Sequence, residues 1–203
     1  MSHLFVIVRH GNTFAPGEPA RRVGVRTDLP LVDTGRAQAE ALGRAFKDQG
    51  LRFDRILCSP LRRTRETADL IRATLGAAVE AEPTVLLAEI DHGVDENRTE
   101  DEVIARIGRD ALDQWDRVGI APPGWTVDRM ARIEGWRALF AQTRPGTTLL
   151  VTSNGAARFA LQADSALAAQ ASARKSLRLR TGAFGTIRAE GDQRALVEWD
   201  RRP

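Results

Sequence analysis

The side chains best suited to chemistry fall in four short clusters: Arg9-His10-Gly11, Ser59-Pro60-Leu61-Arg62-Arg63, Glu89, and Ser153-Asn154-Gly155. An arginine forks two hydrogen bonds onto an oxyanion, and a glycine lets backbone approach a ligand closely. By residue type alone, His10 is a nucleophile, a proton shuttle or simply the end of a strand. Two arginines, an imidazole, an amide and a carboxylate brought together would make a phosphate site with an acid attached.

Such a site needs rigid mounts. Leu4-Phe5-Val6-Ile7-Val8 reads as a strand buried on both faces that ends at Arg9-His10-Gly11. Phe53–Cys58 and Thr147–Thr152 are two more such runs, ending at Ser59 and Ser153. If the three strands are parallel neighbours, their polar ends meet at one edge of the sheet, where α/β folds open their ligand sites.

Between the strands the pattern is helical. One helix starts at Asp33 or Thr34, with Ala37, Ala41, Leu42, Ala45 and Phe46 inward and Gly50 closing it. A second starts with Ser59 as N-cap and Pro60 as its first residue, with Leu61, Ala68, Ile71 and Leu75 inward. Val79–Glu82 reads as an edge strand. Thr99-Glu100-Asp101-Glu102 is a capping box for a helix running on through Trp115, and Thr126 caps another through Phe140. A helical start at Ala156, a helix over Ser165–Ala173 and a hairpin of Gly182–Ala189 with Ala195–Trp199 complete the chain. The expected architecture is α/β: a three-layer α/β/α domain over 1-203 with a mostly parallel central sheet and a C-terminal β-hairpin. The strandless segment 93-145 is its expected helical cap. Phe14–Pro30, rich in Pro, Gly and Arg, is long for a loop, and long loops are more often functional than idle.

Composition excludes several classes. The 203 residues carry a net charge of +3, and only Lys47 and Lys175 are lysines, so arginine supplies nearly all the positive charge. No basic block is interleaved with aromatics, so no nucleic-acid partner is expected. No apolar run approaches the roughly 18 residues of a membrane span. Three scattered histidines and one cysteine give no metal-ligand spacing, and no cofactor is expected. Cys58, alone and in an apolar strand, fits a reducing cytoplasm, as does an N-terminus without a signal-peptide pattern. His3 is expected at the surface. Nothing in the sequence specifies an oligomeric state.

Val8-Arg9-His10-Gly11-Asn12-Thr13 resembles the signature of the histidine phosphatase, or phosphoglycerate mutase-like, superfamily. Leu29-Pro30-Leu31 with Gly35 and Gln38-Ala39, Ser59-Pro60-Leu61-Arg62-Arg63-Thr64 with Thr67-Ala68, Glu89-Ile90-Asp91-His92-Gly93 and Pro122-Pro123-Gly124 resemble its further segments. The resemblance implies that His10 forms a phosphohistidine, that Arg9 and Arg63 hold the phosphoryl oxygens, and that Glu89 protonates the leaving oxygen and then activates water. It also implies substrate contacts from Asn12, His92 and Gly155, while Arg62 is expected to be solvated. The activity implied is a metal-independent phosphomonoesterase acting on a small phosphorylated metabolite.

One position departs from the family pattern. Where the family carries a second histidine in a Ser-His-Gly context, this chain has Ser153-Asn154-Gly155. Asn154 can donate one amide hydrogen bond but can neither carry positive charge nor move a proton. A slowed enzyme is therefore expected, with His92 a candidate to compensate. The alternatives are a catalytically impaired phosphate-ester binding protein and, less favoured by the short stretch from Glu89 to Asn154, a phosphoglycerate mutase.

Overall fold

In the computed structural model, which describes residues 2–141 and 144–203, side-chain alternation along the strands builds two cores, one on each face of a single sheet. The strands are β1 (Ser2–Arg9), β2 (Arg55–Cys58), β3 (Ala81–Pro83), β4 (Gly146–Thr152), β5 (Phe184–Glu190) and β6 (Gln193–Arg201), in the order β3-β2-β4-β1-β5-β6. β3, β2, β4 and β1 run parallel, and β5 and β6 are antiparallel additions beside β1. Val6, Val8, Ile56, Cys58, Leu149 and Val151 point to one face. Phe5, Ile7, Leu57 and Leu150 point to the other.

The first face is covered by α1 (Asp33–Asp48) and α2 (Arg62–Leu75). The second is covered by helices that follow β3 and β4. These are α3 (Glu100–Ile107), α4 (Arg109–Val118), α5 (Arg129–Ala141), the short α6 (Asn154–Ala157) and α7 (Ser165–Ser172). Trp115, Trp136, Phe140 and Phe159 fill the space between them and the sheet. The result is the three-layer α/β arrangement with a C-terminal hairpin, β5–β6. Helices α3 to α5 occupy the strandless segment, of which residues 142 and 143 lie outside the described residues.

Several local expectations are corrected. The buried face of α1 is Gly35, Ala39, Leu42, Gly43 and Phe46, with Ala37 exposed. A Cβ on Gly43 would lie 2.6 Å from Thr74 Cβ, so a glycine, not a methyl, lets α1 and α2 close on each other. Ser59 does not cap α2; its Oγ accepts the Leu61 N–H at 3.2 Å in a turn before the helix begins at Arg62. The capping box at Thr99 is present, but Gly108, at φ 80°, ends α3 and starts α4 as a separate helix. Thr126 pairs as an isolated bridge with Asp91, and α5 starts only at Arg129. His3 is 8% exposed and hydrogen-bonds Thr148 Oγ1 at 2.9 Å, so it belongs to the sheet's interior. Cys58 is buried, which pushes its thiol up to about 11.

Candidate active site

Register brings the strand ends level. Arg9 pairs with Thr152 and Cys58 with Val151, so β2, β4 and β1 finish side by side with β4 in the middle. The first residue beyond each strand is stitched to β4: His10 N–H to Thr152 O at 3.0 Å, and Ser59 N–H to Val151 O at 3.1 Å. A cavity of about 1130 Å³ opens at this edge, lined by Arg9, His10, Glu89, His92, Asn154 and Gly155 among others.

His10 is 5% exposed, and both ring nitrogens have partners. Nδ1 lies 2.8 Å from the Gly11 carbonyl, which can only accept, so Nδ1 carries the proton. Nε2 then holds a lone pair, which accepts from Arg63 Nε–H at 3.2 Å. Burial, then the charges of Arg63 and Arg9, hold the imidazole pKa well below its ordinary value. The ring is a neutral base with one defined lone pair.

Arg63 is fully buried and spends its other donors on the loop over Phe14–Pro30: Thr27 O at 2.8 Å and Gly24 O at 3.2 Å. That loop is itself tied across the chain by Arg22 N–H to Arg98 O and Val25 N–H to Ile90 O. Arg9 donates to Leu179 O at 2.9 Å and has a buried Nε with no protein partner. Burial, only partly offset by Glu89, brings its pKa down to about 10, which leaves it charged at neutral pH. Arg62 is largely exposed and pairs with Glu66 one helical turn away at 2.7 Å.

Glu89 is 5% exposed and accepts the Ile90 N–H at 2.9 Å and the Gly155 N–H at 3.1 Å. Burial alone would raise its pKa. His92, these two N–H groups and Arg63 outweigh burial and hold it below the usual carboxylate range. A Cβ on Gly155 would lie 2.1 Å from Glu89 Oε1, so only glycine lets the carboxylate seat there.

The residues expected to contact substrate make the following contacts within the protein. Gly155 gives its N–H to Glu89 and so positions the acid. Asn12 lines the cavity, but its amide is engaged: Nδ2 donates to Thr34 Oγ1 at 3.4 Å, and Oδ1 accepts from Thr181 at 2.5 Å. His92 packs edge-on against Trp125 at 4.5 Å, and burial lowers its pKa against the opposing pull of Glu89. Its Nδ1 is buried with no protein partner. Trp125 is held in turn by Asp95, which accepts its Nε1–H at 2.7 Å and pairs with Arg106. Asn154 turns Oδ1 to the Leu179 N–H at 2.8 Å, which leaves Nδ2 as its free donor.

The far wall had no counterpart in the sequence reading. Residues 173–176, Arg178 and Arg180, between α7 and β5, line the cavity together with Arg202 at the chain end. In all, eight cationic side chains face three carboxylates around the cavity, whereas the whole chain nets only +3. The positive charge of the molecule is concentrated where the histidine lies. The alternation Leu177-Arg178-Leu179-Arg180, with both leucines buried, was the signal available. Among the described residues no His/Cys/Asp/Glu cluster could hold a metal ion, and no helix is long and apolar enough to cross a membrane.

Residues 5–202 match the model of the histidine phosphatase superfamily, branch 1. The chain is 32% identical over 188 residues to a probable phosphoglycerate mutase GpmB of Erwinia tasmaniensis, covering 89% of this chain and 82% of that one. It is 40% identical over 98 residues to an acid phosphatase of Mycobacterium tuberculosis, covering 48% and 45% respectively. The solved structure of mycobacterial hydrolase 1 superposes with a TM-score of 0.80 over all of both chains at 21% identity, a likeness of fold.

Proposed function

The chain belongs to the histidine phosphatase superfamily, and we propose that within it this protein is a metal-independent phosphomonoesterase of small phosphorylated metabolites. The observation that carries this reading is the His10 imidazole: neutral, tautomerically fixed, with its one lone pair facing Arg63, and with Arg9 and the Glu89 carboxylate lining the same cavity. That is the arrangement an in-line nucleophile needs.

In the first step the Nε2 lone pair of His10 attacks phosphorus and the P–O ester bond breaks. Arg63 shifts its Nε–H from Nε2 to a phosphoryl oxygen, and Arg9 offers its unpartnered Nε to another. Protonated Glu89 gives its proton to the leaving oxygen, and the alcohol departs. Phosphohistidine carries positive charge on the ring, which the Gly11 carbonyl at Nδ1 stabilises. In the second step Glu89 takes a proton from water, the water oxygen attacks phosphorus, and the P–N bond breaks. Inorganic phosphate leaves with His10 neutral again and Glu89 protonated. Glu89 must carry a proton at the start of each turnover, although its surroundings favour the ionised form. This is consistent with one relative being an acid phosphatase.

Asn154 stands where the family pattern places a second histidine, so one charged transition-state partner is missing. Losing a single such donor costs about 10²–10³ in rate. The segment 93-145 acts in this reading as a cap over the cavity. Trapping tests the proposal: with a chelator present and 32P-labelled ester as substrate, rapid quenching should leave acid-labile label that maps to His10. Absence of label at His10 together with absence of phosphate release rejects it. Binding of phosphate esters without label would favour the second reading, a binding protein, for which Asn154 is the specific observation. Conversion of 3-phosphoglycerate to 2-phosphoglycerate would instead make it a mutase, as the name of one relative suggests.

A further inference from the structure

Asn154 and Arg9 grip the same residue from two sides. Leu179 gives its N–H to Asn154 Oδ1 at 2.8 Å and its carbonyl to Arg9 at 2.9 Å. The residue before it is Arg178. Its own N–H goes to Ser176 Oγ at 3.0 Å, and Leu177 on its other side is fixed by Asp116 O at 2.9 Å and Trp199 Nε1 at 3.2 Å. Leu177 and Leu179 are buried. The backbone on both sides of Arg178 is therefore pinned, while the Arg178 side chain is exposed and lines the cavity.

Among the described residues the Arg178 guanidinium has no hydrogen bond and no ion pair, unlike Arg180 two residues on, which is paired with Asp200 at 2.7 Å. Arg178 and Arg9 line the same cavity, and Arg9 is bonded to the carbonyl of the residue that follows Arg178. Two guanidinium groups that line one cavity repel, and an anion seated between them removes the repulsion. Glu89, the buried carboxylate of the cavity, is already held by the N–H groups of Ile90 and Gly155.

We propose that Arg178 is a catalytic residue of this site, contacting the transferring phosphoryl group and supplying the positive charge that Asn154 cannot, with Asn154 acting as the anchor that holds the Arg178 segment beside Arg9. The proposal rests on the phosphatase reading for its kinetic consequence, but not for its anion contact. It gives Asn154 a function: a neutral side chain that accepts a backbone N–H fixes the segment, and an arginine in front of it replaces a histidine's charge with a group able to make two hydrogen bonds.

Calorimetry with inorganic phosphate, alongside phosphate-ester kinetics, tests it on Arg178→Gln, Arg178→Lys, Lys175→Gln, Asn154→His and the Asn154→His/Arg178→Gln double variant. Arg178→Gln should weaken phosphate binding by about tenfold or more and lower kcat/KM by about 10–100-fold, with Arg178→Lys recovering most of the binding. Lys175→Gln, which removes the same charge from the same wall, should change either by less than about threefold. Asn154→His should gain at least about tenfold more rate in the Arg178→Gln background than in the wild type, because the two cations then serve one role. Unchanged phosphate affinity in Arg178→Gln, an equal loss in Lys175→Gln, or equal gains from Asn154→His in both backgrounds would overturn the proposal. Should the wild type form no phosphohistidine, the phosphatase reading fails, and the calorimetry still decides whether Arg178 holds the anion.

Discussion

The two walls of the cavity are built on opposite principles. On the wall around the ends of β1, β2 and β4, the reactive groups His10, Arg63 and Glu89 are buried and already committed. His10 has both nitrogens engaged, Arg63 is shared between His10 and two loop carbonyls, and Glu89 is held by two backbone N–H groups. On the wall between α7 and β5, Arg178 is exposed and carries charge with no ion pair among the described residues. A pre-organised group gives up little reorganisation energy when charge develops beside it, which is what a chemical step needs. A free, solvated cation attracts an anion and adapts to it, which is what capture needs. The first wall should therefore set most of kcat, and the second should set KM and, through the contact of Arg178 with the phosphoryl group, a smaller share of kcat.

The division is tested most severely on the first wall. His10→Ala removes the nucleophile itself and should lower kcat by about 10⁴-fold or more, measured as phosphate release at saturating ester. Gly155→Ala is the subtler change. Its backbone is helical, so alanine is compatible with it, and the damage comes only from a Cβ placed 2.1 Å from Glu89 Oε1. A displacement of about an ångström in the acid should cost about 10²-fold in kcat, with circular dichroism and the melting temperature little changed. Should Gly155→Ala instead raise KM at constant kcat, Glu89 would belong with the capture wall, and the two-wall division would be lost.

The pH profile comes next in size. Glu89 is held below the usual carboxylate range, and it must be protonated to donate. His10 must be unprotonated to attack, and its pKa lies well below the ordinary histidine value. As pH falls from neutrality toward the lowered pKa of His10, the fraction of protonated Glu89 grows while His10 stays free, so kcat should rise about tenfold per unit over that limb. Glu89→Gln should flatten the limb. A profile that falls between pH 7 and 5 would mean that His10 titrates normally and that its burial is not what keeps it neutral.

How much of this was legible in the sequence differs between the walls for a physical reason. The strand ends could be read because buried parallel strands advertise themselves as apolar runs, and because register then forces their ends together. The positions of Arg9, His10 and Asn154 followed from that, whereas Glu89 came only from the family resemblance. What these residues do with their hydrogen bonds did not follow. Gly155 donates its N–H to Glu89, and Asn12 is tied to Thr34 and Thr181. Close approach was equally invisible. The α1 face turns on Gly35 and Gly43, which a pattern of apolar side chains undervalues, and His3 is drawn inward by Thr148 from a strand more than 140 residues away. The second wall was missed because its residues sit in irregular chain between α7 and β5 and beyond β6, where no period marks them and only tertiary folding returns them to His10.

The smallest expected effect discriminates between the walls without any substitution. Salt shortens the range of exposed charges, from about 10 Å at 0.1 M to about 3 Å at 1 M, and leaves buried pairs much less affected. Arg178 is open to solvent, whereas Arg63 and His10 are not. Raising sodium chloride from about 0.1 to 1 M should therefore raise KM for a phosphate ester severalfold while kcat changes by less than a factor of about two. The cost should shrink in Arg178→Gln, because one of the screened charges is already gone. A salt effect carried by kcat instead would mean that Arg178 stays open to screening while the phosphoryl group transfers, and the arginines of the two walls would then act as one field rather than as a rigid site and a capturing surface.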